Sequence, residues 1–166
     1  RPILPGDEEF LFLVYASTRV EEMALVDWND MQKESFLRMQ FNSQYQFYLE
    51  HYPGARYQVI LLDGQPVGRL YIHKRNDEIR IMDITLLPEF RKRGIGSHLL
   101  EEILGEAANN QLPVTIHVEQ FNPAMRLYER LGFCLSEERG VYFLMKWSPA
   151  IVELEQHDYV GKTAKR

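Results

Sequence analysis

An apolar stripe of Leu99, Leu100, Ile103, Leu104 and Ala107 lies between two strand-like segments, EIRIMDITLL at 78–87 and PVTIHV at 113–118. The three- and four-residue spacing predicts an amphipathic helix over about 95–109. Such a helix must bury its stripe, and two strands joined through one helix pair in parallel on the sheet that receives it. This unit restricts the chain to folds whose sheet has a parallel portion.

The flanking segments extend the pattern. RPIL reads as the remnant of a first strand, and PGDEEF as a turn into a helix with acidic residues in its first turn. Residues 8–50 carry mixed helical periodicity, interrupted near DWND. RYQVILL (56–62), the turn DGQ and PVGRLYIH (66–73) predict a hairpin, since Asp-Gly takes the tight-turn conformation readily. After PVTIHV come a helix over about 123–131 and two last strands, FCLSE and VYFLMKW. The expected fold is therefore α+β (α/β-like): a mixed central sheet of about six to seven strands flanked by helices. One domain is expected over 1–166, with a tail from about 148.

With 45% hydrophobic and 26% charged residues the composition is that of a globular chain, and no apolar run is long enough to span a membrane. The N-terminus lacks a signal-peptide core, and Arg1 is expected to mark a processed or trimmed start. A lone cysteine, Cys134, excludes an internal disulfide and suits a reducing cytoplasm. The net charge of −5 argues against a broad nucleic-acid surface, so the basic run Arg91-Lys92-Arg93 is a local feature.

That run stands against Gly94 and Gly96 at the start of the predicted helix. Glycines there permit close backbone approach, and the helix's free amides and dipole face the loop, a ready anion site for phosphate or pyrophosphate. A strand-to-helix turn with solvated cations is the competing reading, at about even weight for an isolated Gly-x-Gly. In the preceding strand, Ile79 and Ile81 share one face while Met82, Ile84 and Leu86 share the other. One extra residue between 81 and 84, a β-bulge, produces such a slip and frees backbone groups. A strand buried on both faces is the alternative, which Asp83 weakens because a carboxylate there needs a partner or a cleft. In FNPAMRLYERLGF, Asn122 and Pro123 read as N-cap and first helical residue, and Gly132 as the C-terminal glycine. Tyr128 lies beside the Leu127–Leu131 stripe and points into either packing or a cleft.

Taken together these blocks resemble the GNAT superfamily, the GCN5-related N-acetyltransferases, with a motif core over about 78–133. Arg91, Gly94 and Gly96 match the family's acetyl-CoA signature, and Ala124, Tyr128, Gly132 and Phe133 its second block. In the commoner form an asparagine precedes the tyrosine by seven residues, whereas Asn122 precedes Tyr128 by six, which brings Phe121 to the equivalent place.

The resemblance implies acetyl-CoA as co-substrate and direct attack by a primary amine of a small molecule or peptide in a ternary complex. It places the pyrophosphate on Arg91, Lys92, Arg93, Gly94, Ile95, Gly96 and Ser97, and the pantetheine along Leu86 and Leu87. Asn122, Ala124 and Tyr128 complete the cofactor contacts, and a freed amide near Leu86 would meet the oxyanion. It makes Tyr128 the acid for the departing thiolate. An amine near pKa 10.4 is neutral in only about one part in a few thousand at pH 7, a cost of roughly 4–5 kcal/mol. A carboxylate, usually through water, eases that step. Asp83 is the first candidate, then Glu119, then Glu21 or Glu22. A CoA-binding sensor without catalysis is the alternative. Expected partners are acetyl-CoA and an amine, with no nucleic acid and no membrane, and a homodimer is allowed for.

Other signals carry less. GKT at 161–163 imitates a Walker A ending, but Gln156 replaces the required glycine. The histidines at 51, 73, 98, 117 and 157 form no metal-ligand spacing with Cys134, and His117 reads as a strand residue. Trp28, Phe36, Phe41, Tyr45, Phe47, Tyr48 and Tyr52 are divided between core and acceptor wall in a way the sequence leaves open.

Overall fold

The computed structural model describes residues 1–150; the GKT run, His157 and most of the expected tail lie outside them. Three helices come first: α1 (Glu8–Ser17), α2 (Val20–Ala24) and α3 (Asp30–His51). Glu8 and Glu9 occupy the first turn of α1, where carboxylates favour the dipole. The interruption at DWND is the start of α3. Asn29 accepts from the Gln32 amide and the Gln32 side chain returns to the Asn29 amide, a closed capping box.

Then follow β1 (Arg56–Leu62), β2 (Gln65–Lys74), β3 (Ile79–Leu86), α4 (Ile95–Asn109), β4 (Val114–Glu119), α5 (Met125–Arg130), β5 (Cys134–Arg139) and β6 (Tyr142–Trp147). They form one six-stranded sheet in the order β1-β2-β3-β4-β6-β5, parallel only between β3 and β4. RPIL does not make a full strand: Pro2 bridges Gln58 on the β1 edge as an isolated pair. The second motif helix also begins later than Asn122–Pro123 suggested. Residues 122–124 form a tighter turn in which the Met125 amide reaches the Asn122 carbonyl.

The sheet has two unlike faces, because the register aligns side chains of one kind. Ile72, Ile79, Ile81, Val114, Ile116 and Met145 are buried on the face covered by α4 and α5, together with the α4 stripe Leu100, Ile103, Leu104 and Ala107. On the other face, Tyr57, Tyr71 and Asp83 stand opposite one another, as do Val59, Arg69 and Thr85. Helices α1 and α3 cover this part: Tyr45 meets Tyr57, Tyr48 meets Tyr71, and Tyr52 meets His73 in edge contacts. Tyr45, Tyr48 and Tyr52 are therefore packing residues, and Phe41 joins Phe12 and Tyr15 in a second small core.

Two departures from regular pairing open the sheet. Tyr71 pairs with Asp83 and Ile72 with Ile81, so Met82 is the extra residue of a β-bulge, where the slipped alternation had located one. Further, β3 and β4 pair only at Ile79–Val114, Arg80–Thr115 and Ile81–Ile116, after which β4 continues against β6 alone. Residues 82–86 of β3 thus have no partner on that side. The Leu87 amide donates to the Val67 carbonyl, and ladder alternation from that bond turns the N–H and C=O groups of Ile84 and Leu86 toward the opening.

Gly68 allows β2 to lie this close to the opened strand. A Cβ there would meet the Thr85 carbonyl oxygen in a contact no real side chain makes. Gly68→Ala is expected to lose about 1–3 kcal/mol, as overpacking does, read as a lowered melting temperature.

Candidate active site

The joint between β3 and α4 is built as an open helix end. Arg91 is extended, while Lys92 at φ 58° and Gly94 at φ 82° are left-handed. Gly94 suits this conformation and Lys92 holds it at a cost. The first intrahelical bond runs from His98 to the Gly94 carbonyl at 3.0 Å. The amides of Ile95, Gly96 and Ser97 therefore precede the ladder, and no side chain caps them, in contrast to the closed box on α3.

Cations gather at this end although its dipole repels them. The Arg91 Nε donates to the Leu86 carbonyl at 2.9 Å, and the Arg93 guanidinium lies 5.5 Å from the Phe90 ring centre. Arg130 of α5 donates to the Ser97 hydroxyl at 3.3 Å. Among the described residues none of these, nor Lys92, is paired to a carboxylate, so an anion would relieve their mutual repulsion. Arg130 was not anticipated. Its only sequence signal is its place two residues after Tyr128, and the meeting of α5 with α4 is a tertiary contact.

Tyr128 is buried, with 4% exposure, and its ring meets Phe133 edge-on at 5.7 Å. The turn after α5 fixes it: the Phe133 amide returns to the Tyr128 carbonyl and the Gly132 amide to Glu129, closing the helix as a Schellman turn. The ring thus answers to packing, while the hydroxyl has no hydrogen-bond partner within the described residues. Burial, and then the charge of Asp83, raises its pKa above the ordinary 10.0, so it is protonated at neutral pH.

Asp83 is on the polar face, with both oxygens engaged. Arg69 Nη2 donates to Oδ2 at 2.6 Å and the Thr85 hydroxyl to Oδ1 at 2.7 Å. Arg69 is buried to 3% exposure, also reaches the Gln44 amide oxygen, and lies over the Tyr71 ring at 5.1 Å. A carboxylate held this way neutralises a buried cation.

Glu119 ends β4 and is half exposed, and one guanidinium serves it together with α2: Arg19 Nη1 is 2.9 Å from Glu22 and 3.7 Å from Glu119. Glu21 is exposed beside Glu22. Asn122 spends its side-chain oxygen on the Ala124 amide at 2.8 Å, and Phe121 is 96% exposed. The Leu87 amide is taken by Val67 and the Leu86 carbonyl by Arg91, which leaves the Leu86 amide for a ligand. The His117 side chain on β4 reaches solvent but is partly desolvated by its neighbours, which lowers its pKa, as do Arg80 and Arg139. Among the described residues no group of three His, Cys, Asp or Glu side chains has the proximity a metal ion needs, and no helix is long and apolar enough to cross a membrane.

Comparison with solved structures places this architecture. The PaiA N-acetyltransferase of Thermoplasma acidophilum, solved with coenzyme A, superposes with a TM-score of 0.67 at 18% identity, over 89% of this chain and 96% of that one. An acetyltransferase of Thermus thermophilus gives 0.63 at 20% identity over 89% and 94%. The Campylobacter jejuni N-acetyltransferase PseH, with acetyl coenzyme A, gives 0.53 at 16% over 79% and 92%. At these identities the likeness establishes the fold. The sequence model of the acetyltransferase (GNAT) family matches residues 21–133, which spans the bulged strand, the open helix end and the tyrosine helix, and the chain belongs to that family.

Proposed function

We propose that the protein transfers the acetyl group of acetyl-CoA to a primary amine by direct attack in a ternary complex. The observation that carries this reading is the uncapped, cation-ringed start of α4 beside a strand whose backbone is turned into an opening, with the Tyr128 helix against both. Relatives of the same fold hold coenzyme A or acetyl coenzyme A, which supports acetyl-CoA as co-substrate.

In this reading the pyrophosphate takes the amides of Ile95, Gly96 and Ser97, with Arg91, Lys92, Arg93 and Arg130 neutralising its charge. The pantetheine arm follows the outward backbone groups of Ile84 and the Leu86 amide. The amine nitrogen forms a bond to the thioester carbon, and the oxyanion draws on an outward amide of β3. Collapse breaks the carbon–sulfur bond, and the thiolate takes the Tyr128 proton. The amine's own proton leaves through water toward Glu119, which is half exposed, whereas Asp83 is committed to Arg69. Asp83 thereby moves from first candidate base to anchor of the site floor.

Free thiol release from acetyl-CoA with a panel of amines tests the reaction, and calorimetry with CoA tests the site. Binding without thiol release from any amine would leave a CoA-binding module.

Gly96 offers the sharper probe of the phosphate cradle, since its Cβ would meet only a Leu127 methyl at 3.9 Å. Any side chain at Gly94 would be strained at φ 82°. Gly96→Val is expected to weaken CoA binding at least tenfold with a melting temperature near the parent's. Arg130→Gln should weaken it about tenfold, the weight of one hydrogen bond to a charged group, and flatten its salt dependence. Unchanged CoA affinity in both variants would remove the phosphates from this end of α4.

A further inference from the structure

Beneath α1 and α3, four adjoining positions of the sheet hold polar side chains on one face. Arg69 pairs with Thr85 across the ladder and Tyr71 with Asp83, so the four form a cross-strand square. Its diagonal is the 2.6 Å bond from Arg69 to Asp83. The square borders the reacting opening, because Asp83 and Thr85 flank Ile84 on the stretch of β3 that β4 has left. The Asp83 side chain keeps 13% exposure, so this corner is open to solvent.

Donors outnumber acceptors in the square. Both Asp83 oxygens are taken, by Arg69 and by Thr85, and the Gln44 oxygen is taken by Arg69. Those Arg69 bonds leave from Nη2 alone. Its Nε is sealed without a partner, and so is the hydroxyl of Tyr71, a residue 1% exposed. Arg69 Nη1 has no hydrogen bond among the described residues and is not one of the sealed atoms, which puts it in touch with solvent. It shares one guanidinium carbon with Nη2, so this free donor is beside the carboxylate. The Tyr48 hydroxyl is likewise neither bonded nor sealed. Burial and then the charge of Asp83 raise its pKa, so it keeps its proton and stands near the same carboxylate. Buried donors almost always meet an acceptor, and the protein supplies none for these. Water can serve them in the free protein, and a ligand oxygen replaces it on binding.

Resting on the transferase reading above, we infer that the acceptor is a primary amine with a neutral carbonyl oxygen beside it, as in an amino amide or at the start of a peptide. The carbonyl oxygen accepts from Arg69 Nη1 and the Tyr48 hydroxyl, which sets the amine at the opening beside Ile84. Asp83 already neutralises Arg69, so a carboxylate in this place would set a second anion beside the first, whereas a carbonyl adds no charge. An alkylamine would displace the water and leave both donors unmatched.

Three probes separate these features: glycinamide, glycine, which exchanges the amide for a carboxylate, and ethylamine, which lacks the oxygen. Rates are referred to the neutral amine, because an amine beside a carbonyl titrates at about 8 and an alkylamine at about 10.4. With saturating acetyl-CoA, kcat/KM for glycinamide is expected to exceed that for ethylamine by about tenfold to a hundredfold, the weight of a hydrogen bond to a charged group. It should also exceed that for glycine. Tyr48→Phe should cut the glycinamide-to-ethylamine ratio about fivefold through KM, the weight of one neutral hydrogen bond, while the ring contact with Tyr71 and the melting temperature are kept. Arg69→Met with Asp83→Leu, which removes both buried charges together, should bring the ratio close to one. Glycylglycinamide that matches or outpaces glycinamide assigns the carbonyl to a peptide, and one that lags assigns it to a free amide; both support the proposal. Ethylamine or glycine reacting as fast as glycinamide overturns it, as does a ratio that survives the double replacement. Should CoA bind and no amine release thiol, the transferase reading fails, and the acceptor proposal is then decided by binding alone. Calorimetry on the CoA complex should show glycinamide binding at millimolar concentration and ethylamine not. Equal heats from the two overturn it.

Discussion

Tyr128→Phe is expected to lower turnover by about 10²–10³, within the span of general-acid contributions, while CoA affinity and melting temperature stay near the parent's. Phe keeps the ring that meets Phe133 and the Schellman turn that fixes it, and the lost hydroxyl has no hydrogen bond within the described residues to break. The parent's profile carries a second mark. Because burial raises the Tyr128 pKa above 10.0, the acid keeps its proton throughout the neutral range, and any loss of rate from its ionisation falls above pH 10. The same raised value means that the unfolded chain ionises first above that pH, so Tyr128 draws stability down as pH rises past 10 and is neutral in effect below it. An unchanged turnover number in Tyr128→Phe, beside an unchanged melting curve, would remove the tyrosine from proton transfer.

Asp83→Asn is expected to cost stability before it costs chemistry. Arg69 is 3% exposed and Asp83's side chain 13%, so removing the carboxylate leaves a guanidinium in the interior with only the Gln44 oxygen and aromatic faces as compensation. Breaking one partner of such a pair costs about 3–5 kcal/mol, which for a chain of this size lowers the melting temperature by about 10 °C. Replacing both, as Arg69→Met with Asp83→Leu, should recover most of the loss, since the desolvation of both charges disappears with them. A pH–rate profile separates the roles. A relay to Asp83 predicts that the Asn variant regains rate near the amine's own pKa, whereas an anchoring role predicts a profile parallel to the parent's, with Glu119→Gln showing the recovery instead. Parent-like stability in Asp83→Asn would refute the anchoring role.

The sequence carried whatever depends on neighbours along the chain. The stripe from Leu99 to Ala107 gave α4 its limits because helical periodicity is local. The slipped alternation around Met82 revealed the bulge for the same reason: a strand's two faces are written two residues apart. The run from Arg91 to Gly96 could be read as an anion joint because a helix start and its glycines are one local device. Where the pattern is thin the fold departs from it: RPIL pairs through one bridge only, and Asn122–Pro123 form a tight turn before α5 rather than its N-cap and first helical residue.

Tertiary structure decided the partners of the charges. Asp83 and Arg69 lie fourteen residues apart in sequence, and only the folded sheet pairs them. Arg130 became part of the cationic ring only because α5 packs beside the start of α4, 33 residues back in sequence. Arg19 linked Glu22 to Glu119 across the mouth, and the aromatics of α3 divided into core at Tyr45, Tyr48 and Tyr52 and exposed groove near Phe36. Periodicity tells which face a side chain occupies. The residue it meets there depends on how distant elements dock, which is set by the shape and volume of the whole core and is not written in the local pattern.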